Sequence, residues 1–277
     1  MGSAPERRTS GTRRDEKFAL LRGARRVWAV AAIHGAARRL VRLHDMISDA
    51  FEEGDRLVYL GNYIGCGDAV LATIDELLDF RRRVLGRRNG FVCDVAFLRG
   101  AQEEMWQKLL QLQFAPNPRE VLEWMVRTGM DATVRAYGGD LRQGFAATRG
   151  GPRTITHWTG ALRNVMNATP GHTMLFSALR HAAFTEKRGL LFVHTAIDPS
   201  RPLAAQGDAF WWGRDDILEL SAAYEGFRRV VRGFDRTQRG FVEREFSVSL
   251  DGGSGHPRRL LAACFAAQGE VLKLVEA

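Results

Sequence analysis

Between residues 27 and 98 the chain alternates between two kinds of segment, and that alternation restricts its fold more than any other feature. Val27–Ile33, Arg56–Leu60 and Phe91–Leu98 are short apolar runs rich in β-branched or aromatic residues, the pattern of buried strands. Between the first two, Ala36–Phe51 sets Leu40, Leu43, Ile47, Ala50 and Phe51 on one helical face. Between the second and third, Asp68 is placed to cap a helix in which Val70, Ile74, Leu77, Leu78 and Arg81 recur at helical spacing. Strand–helix–strand–helix–strand order implies parallel strands joined by right-handed crossovers. In such sheets ligands gather at the carboxyl ends of the strands. Each of the three runs ends in a glycine-containing block: His34-Gly35, then Gly61-Asn62-Tyr63-Ile64-Gly65-Cys66-Gly67, then Arg99-Gly100-Ala101-Gln102-Glu103.

Downstream, residues 104–189 read as mainly helical. Glu120–Thr128 offers Val121, Leu122, Met125 and Val126 as an apolar face, and Gly129, Gly138-Gly139 and Gly150-Gly151-Pro152 mark turns. Leu190–Val193 and Val230–Arg232 read as strands. Phe241–Leu250, Leu260–Phe265 and Glu270–Val275 alternate as an antiparallel closing sheet would. A chain of 277 residues without internal repeat or core-splitting linker is expected to form one α/β domain, residues 27–277. The net charge of +8 is concentrated at the start: residues 1–26 hold eight Arg or Lys against three Asp or Glu, 8 − 3 = +5. That segment is expected to be a basic, disordered arm; an arm adhering to an acidic partner is the other reading. Without interleaved aromatics or a recognition motif, a nucleic-acid partner is not expected. The N-terminus lacks the apolar core of a signal peptide and no run reaches membrane-spanning length, so a cytoplasmic protein is expected. Cys66, Cys93 and Cys264 have no metal-site spacing and suggest no disulfide framework; Cys93 is expected to lie inert in the third strand.

The ordered blocks resemble the motifs of calcineurin-like metallophosphoesterases, specifically the phosphoprotein phosphatase type of bacterial serine/threonine phosphatases and symmetrical diadenosine tetraphosphatases. Leu60–Gly67 is similar to Gly-Asp-Tyr-(Ile/Val)-Asp-Arg-Gly, with Asn62, Gly65 and Cys66 where that pattern has Asp, Asp and Arg. Ala31-Ala32-Ile33-His34-Gly35 resembles Gly-Asp-(Ile/Val)-His-Gly, with Ala32 at the Asp. Leu98-Arg99-Gly100-Ala101-Gln102-Glu103 resembles Leu-Arg-Gly-Asn-His-Glu, with Ala101 and Gln102 at the Asn and His. Phe192-Val193-His194 keeps its His, Trp212-Gly213-Arg214 resembles a phosphate-holding Trp-Ile-Arg, and Gly233-Phe234 resembles a closing Gly-His with Phe234 at the His. The resemblance spans about residue 27 to the C-terminus. It implies a two-sheet β-sandwich flanked by helices, a four-layer αββα arrangement, with a helical cap insertion at about 104–189.

The same resemblance implies a dismantled centre. Two divalent ions about 3.5–4 Å apart repel and need an anionic bridge. The bridging Asp position is Asn62, Ala32 and Ala101 offer no side-chain donor, and Phe234 would fill ligand space; His34 and His194 remain, for different metals. Gln102 stands at the catalytic imidazole and does not titrate usefully, and Gly65 stands at its carboxylate partner. Arg214 is carried over as a phosphate ligand, an ion pair with Asp215 or Asp216 being the alternative. The leading expectation is a pseudophosphatase: a binding or regulatory scaffold with no cofactor, which recognises a phosphorylated ligand or a protein partner. A second reading is a weak phosphoesterase with one divalent transition metal, zinc or manganese, on His34, Asn62 and His194 with Cys66 as surrogate. A third is an interaction module acting through the basic arm or cap. His44, His157, His172, His181 and His256 show no ligand spacing and read as surface or satisfied core residues.

Overall fold

The computed structural model describes residues 17–87, 90–213, 216–252 and 259–277. Two sheets stack face to face. Sheet I has the order β11-β10-β2-β3-β4, from β2 Arg26–Val30, β3 Asp55–Tyr59, β4 Val95–Phe97, β10 Leu261–Ala266 and β11 Val271–Glu276. Sheet II has the order β1-β5-β6-β7-β9-β8, from β1 Phe18–Leu21, β5 Ala182–Thr185, β6 Leu190–Val193, β7 Arg229–Arg232, β8 Phe241–Glu243 and β9 Ser247–Leu250. Strands β2, β3 and β4 pair in parallel, as the alternation demands. The crossovers are α1 Ala37–Ala50 and α2 Val70–Leu85.

Period-two side-chain alternation distributes each strand between two cores. Val27, Ala29 and Ala31 face the sandwich interior with Leu190, Phe192, Val231 and Phe265. Trp28 and Val30 face the helical layer, where Leu40, Leu43 and Ile47 of α1 meet Ile74 and Leu77 of α2. Strand β6 is buried on both faces, so all four of its residues are apolar; Leu191 and Val193 enter a third core with Phe210, Ile217 and Phe227. That outer layer consists of short 3-10 turns and α9 Ala209–Trp212.

The region expected as a helical cap contains α3 Ala101–Leu109, α4 Pro118–Arg127, α5 Met130–Ala136, α6 Leu141–Gly150, α7 Pro152–Ala168 and α8 His172–Ser177. It shares the core of α1 and α2 through Trp106, Leu122, Met125, Val134, Tyr137 and Leu162. The tail of 104–189 holds β5, which belongs to sheet II.

Several expectations need correction. Residues 18–21, assigned from sequence to the arm, form β1, because Phe18 and Leu21 bury apolar side chains and the strand pairs with β5. Residues 1–16 lie outside the described residues. Asp68 does not cap α2, whose N-cap is Ala69 without a side-chain bond. Phe91–Leu98 is strand only over Val95–Phe97; before it, a 3-10 turn at Val92–Asp94 is fixed by the Asp94 carboxylate accepting from the Phe91 amide at 2.8 Å, and Cys93 is exposed there. Phe241–Leu250 is a hairpin of sheet II, whereas β10 and β11 extend sheet I, so there is no single closing sheet. Among the described residues no helix is long and apolar enough to cross a membrane.

Candidate functional site

The carboxyl ends of β2, β3 and β4 are stitched into one rim by backbone contacts. The amides of Ile33 and His34 both donate to the Asn62 carbonyl, at 3.0 and 2.6 Å, and the Gly35 amide donates to the Tyr63 carbonyl at 2.9 Å. Glu103 joins the second loop to the third. Its buried carboxylate accepts from the amides of Asn62 (2.8 Å), Tyr63 (2.8 Å), Ile64 (3.2 Å) and Gly100 (2.9 Å). Burial raises the Glu103 carboxyl above the usual glutamate range, against the downward pull of those four donors. Close approach explains Gly100: a Cβ there would lie 2.2 Å from the Asn62 nitrogen.

His34, Asn62 and Cys66 hold positive φ angles of 53°, 54° and 62°. Non-glycine residues in that region cost about 1–3 kcal/mol each and concentrate at functional sites. The rim therefore retains a strained backbone of the kind that presents ligands. Its side chains are occupied otherwise. Asn62 Oδ1 accepts from the Gln102 amide at 2.9 Å, and its Nδ2 sits 3.4 Å from His34 Nε2. Gln102 donates through Nε2 to the Thr128 carbonyl at 2.8 Å. Its side chain fills the space over Gly65, where an added Cβ would lie 2.2 Å from Gln102 Oε1. The cap reinforces that arrangement: the Gly65 amide donates to Thr133 Oγ1 at 3.0 Å and the Cys66 amide to the Gly129 carbonyl at 2.9 Å.

Phe234 touches both histidines. Its ring stacks on His194 at 5.5 Å with planes 2° apart and meets the edge of His34 at 5.7 Å. His194 is fully buried and donates from Nδ1 to the Leu60 carbonyl at 2.7 Å. That contact leaves the lone pair on Nε2, which has no hydrogen-bond partner among the described residues. Burial pushes the imidazole down to about 4, so the ring is neutral at physiological pH. Ala32 contributes its amide, which donates to the Gly233 carbonyl at 3.0 Å. Ala101 is buried at the start of α3.

A pair of divalent ions does not fit these residues. The position between the first two loops carries a neutral amide already engaged by Gln102, and an apolar ring lies against the imidazole that retains a bare nitrogen. Among the described residues no group of three or more His, Cys, Asp or Glu could hold a metal ion. Cys66, expected as a possible surrogate, contacts the Thr128 carbonyl at 3.8 Å and Gln102 Nε2 at 3.9 Å. His34 and Cys66 line an open cleft from which His194 is walled off. Arg214 and Asp215 lie outside the described residues; Asp216 pairs with Arg232 at 3.2 Å and Arg239 at 2.6 Å.

Sequence reading missed the walls of that cleft. It has a volume of about 660 Å³ and runs over the start of α1, lined by Arg38, Arg39 and Arg42 with Arg259 opposite. The sequence signal is three arginines in the first six residues of a helix, a weaker charge cluster than that of residues 1–26.

Similarity to known proteins agrees with this architecture. No family model matches the sequence, and no curated protein matches it. Among solved structures, the chain is similar to one described as a diadenosine tetraphosphatase, with a TM-score of 0.55, 16% identity, and coverage of 95% of this chain and 97% of the other. It is also similar to a protein serine/threonine phosphatase from Saccharomyces cerevisiae with similarity to human phosphatase PP5, with a TM-score of 0.52, 11% identity, and coverage of 96% and 84%. The fold is that of the calcineurin-like metallophosphoesterases.

Proposed function

We propose that this chain, with the fold of the calcineurin-like metallophosphoesterases, does not hydrolyse phosphoesters and serves as a scaffold that binds a phosphorylated ligand. One observation carries the reading: the rim is refilled, with Gln102 packed over Gly65, Asn62 Oδ1 bonded to the Gln102 amide, and Phe234 stacked on His194. Each replacement removes a charge or a donor, and each is integrated by packing or a hydrogen bond. Two dications held close together require negative ligands between them, and this rim offers a carboxamide there. Gln102 cannot protonate a leaving group, because a carboxamide does not exchange a proton near neutral pH.

The test is metal content and phosphate release from purified protein supplied with manganese or zinc, using p-nitrophenyl phosphate and diadenosine tetraphosphate. No metal-dependent release is expected. The double substitution Ala32→Asp/Asn62→Asp is expected to remain inactive, since Gln102 and Phe234 stay in place. Manganese- or zinc-dependent turnover that disappears in His194→Ala would instead establish a weak single-metal phosphoesterase.

A further inference from the structure

We infer that the cleft over the start of α1 binds a small ligand carrying two or more phosphoryl groups, gripped chiefly by Arg38 and Arg42; this deepens the scaffold reading above. Arg38, Arg39, Arg42 and Arg259 line the cleft against Asp68 and Asp251, giving 4 − 2 = +2 formal charges around about 660 Å³. A volume in that range suits a nucleotide-sized molecule and is too confined for a nucleic-acid duplex or a protein domain. Arg259 is neutralised by Glu276 at 3.2 Å. Arg38 and Arg42 are exposed and form no ion pair among the described residues.

Their placement is unfavourable without an anion. Positions four apart on a helix are neighbours, so the two guanidinium groups repel, and Arg38 lies in the first turn of α1, where the helix dipole is positive. The helix has no acidic residue in its first turn and no side-chain cap to offset them. The second helix, α2, opens beside the same cleft through Asp68 and Ala69, again without an acid in its first turn or a side-chain cap. Both the charges and the helix starts thus favour a negative guest. Two arginines one helical turn apart, with Cβ atoms about 6 Å from each other, match two phosphoryl groups better than one. Guanidinium forks are suited to the oxygen geometry of phosphate.

The cleft borders the rim at His34 and Cys66, but the grip proposed for Arg38 and Arg42 needs no divalent ion, so binding can be measured independently of turnover. The probe is inorganic tripolyphosphate, titrated calorimetrically into the full chain with EDTA present, at low and at physiological salt. Saturable binding is expected, weaker at higher salt. Arg38→Glu and Arg42→Glu are each expected to reduce affinity by about tenfold or more, the loss of a charge-assisted contact. Asp68→Asn is expected to strengthen binding, and Arg149→Glu, exposed on α6, which contributes no residue to the cleft, to leave it unchanged. Because the substituted arginines are exposed, thermal melts should confirm that the variants fold. Absence of saturable binding, orthophosphate binding as tightly as tripolyphosphate, or an equal loss in Arg149→Glu would overturn the inference. Metal-dependent phosphate release would defeat the non-hydrolysing reading and leave this site standing; absent binding would do the reverse.

Discussion

The histidines of the helical layer and those of the rim are treated differently by the structure. His44 is fully buried, with Nδ1 on Glu76 at 2.5 Å, Nε2 on the Tyr59 hydroxyl at 2.8 Å, and its ring stacked on Phe80 at 3.9 Å. His172, equally buried, has Nδ1 on the Tyr137 hydroxyl at 2.7 Å and Nε2 on Asp75 at 3.2 Å. Asp75 and Glu76 are adjacent on α2, so one helical step fastens two imidazoles. For these two histidines of the helical layer, both ring nitrogens are engaged, whereas His181, packed against Phe210 and Trp211, leaves Nδ1 without a partner among the described residues. His194 is one partner short, and the ring stacked on it is the apolar Phe234. An unsatisfied buried polar atom costs about 1–3 kcal/mol, so this nitrogen is a standing cost to the fold.

The largest expected effect tests whether the rim is truly refilled. Gly65→Asp places a side chain at positive φ and 2.2 Å from Gln102 Oε1. Strain and overpacking together predict a loss of about 4 kcal/mol. Adding Gln102→Ala should recover about 1–2 kcal/mol, a coupling readable from urea denaturation of both single variants and the double. Strict additivity would mean that Gln102 does not fill the Gly65 space.

A second effect follows from the buried imidazole. The His194 pKa is about 4 in the folded chain against about 6.5 in the unfolded chain, so between those values the unfolded state binds the extra proton. Stability is therefore complete above pH 6.5 and declines as pH falls toward 4, by about 3 kcal/mol in all. His44, also pushed down by burial, acts with the same sign. Unfolding free energies across that range should show a shallower slope in His194→Phe than in the natural sequence. An unchanged slope would show that His194 is not the group being protonated.

Much of the architecture was readable from the order of elements because hydrophobic periodicity reports burial. The β2-α1-β3-α2 succession and strand β6 fall within a residue or a few of where the pattern puts them. Strand β1 was obscured because Phe18 and Leu21 are embedded in a run of arginines, and a two-sided burial pattern of four residues gives little periodicity. The split between sheets was not legible, since the pairing of β10 with β2 joins segments more than two hundred residues apart. At the rim, the motifs located His34, Asn62, Gln102, His194 and Phe234 along the chain. They did not reveal that Gln102 lies over Gly65 or that Phe234 touches both histidines, because those contacts depend on side-chain direction. Thr128, whose carbonyl holds the Gln102 side chain, and Thr133, which pins the second loop at Gly65, carry no motif at all.

A paired substitution sharpens the contrast between the two histidine environments. His44→Phe leaves the Tyr59 hydroxyl and part of the Glu76 carboxylate without a buried partner, a loss of about 2–3 kcal/mol. His194→Phe deprives just the Leu60 carbonyl and removes an orphaned nitrogen, so its cost should be about 1 kcal/mol. Denaturant midpoints at constant slope decide the order, and equal losses would erase the distinction.

The smallest change in stability should come from Phe234→His, yet it probes the rim most directly. The substituted ring is half-buried and its replacement is a smaller ring of similar shape, so stability should shift by about 1 kcal/mol or less. The consequence lies in the donor set. A third imidazole would stand beside His34 and His194, whose rings are 5.7 and 5.5 Å from the present phenyl centroid, and three imidazoles form a zinc-competent set. Zinc should then raise the melting temperature of Phe234→His with increasing concentration, as any ligand selective for the folded state does, and leave the natural sequence unmoved. If the natural sequence responds to zinc as strongly as the variant, the phenyl ring is not what separates these histidines from a metal. If neither responds, the positions of the two retained histidines, rather than the ring between them, have lost the geometry of a centre.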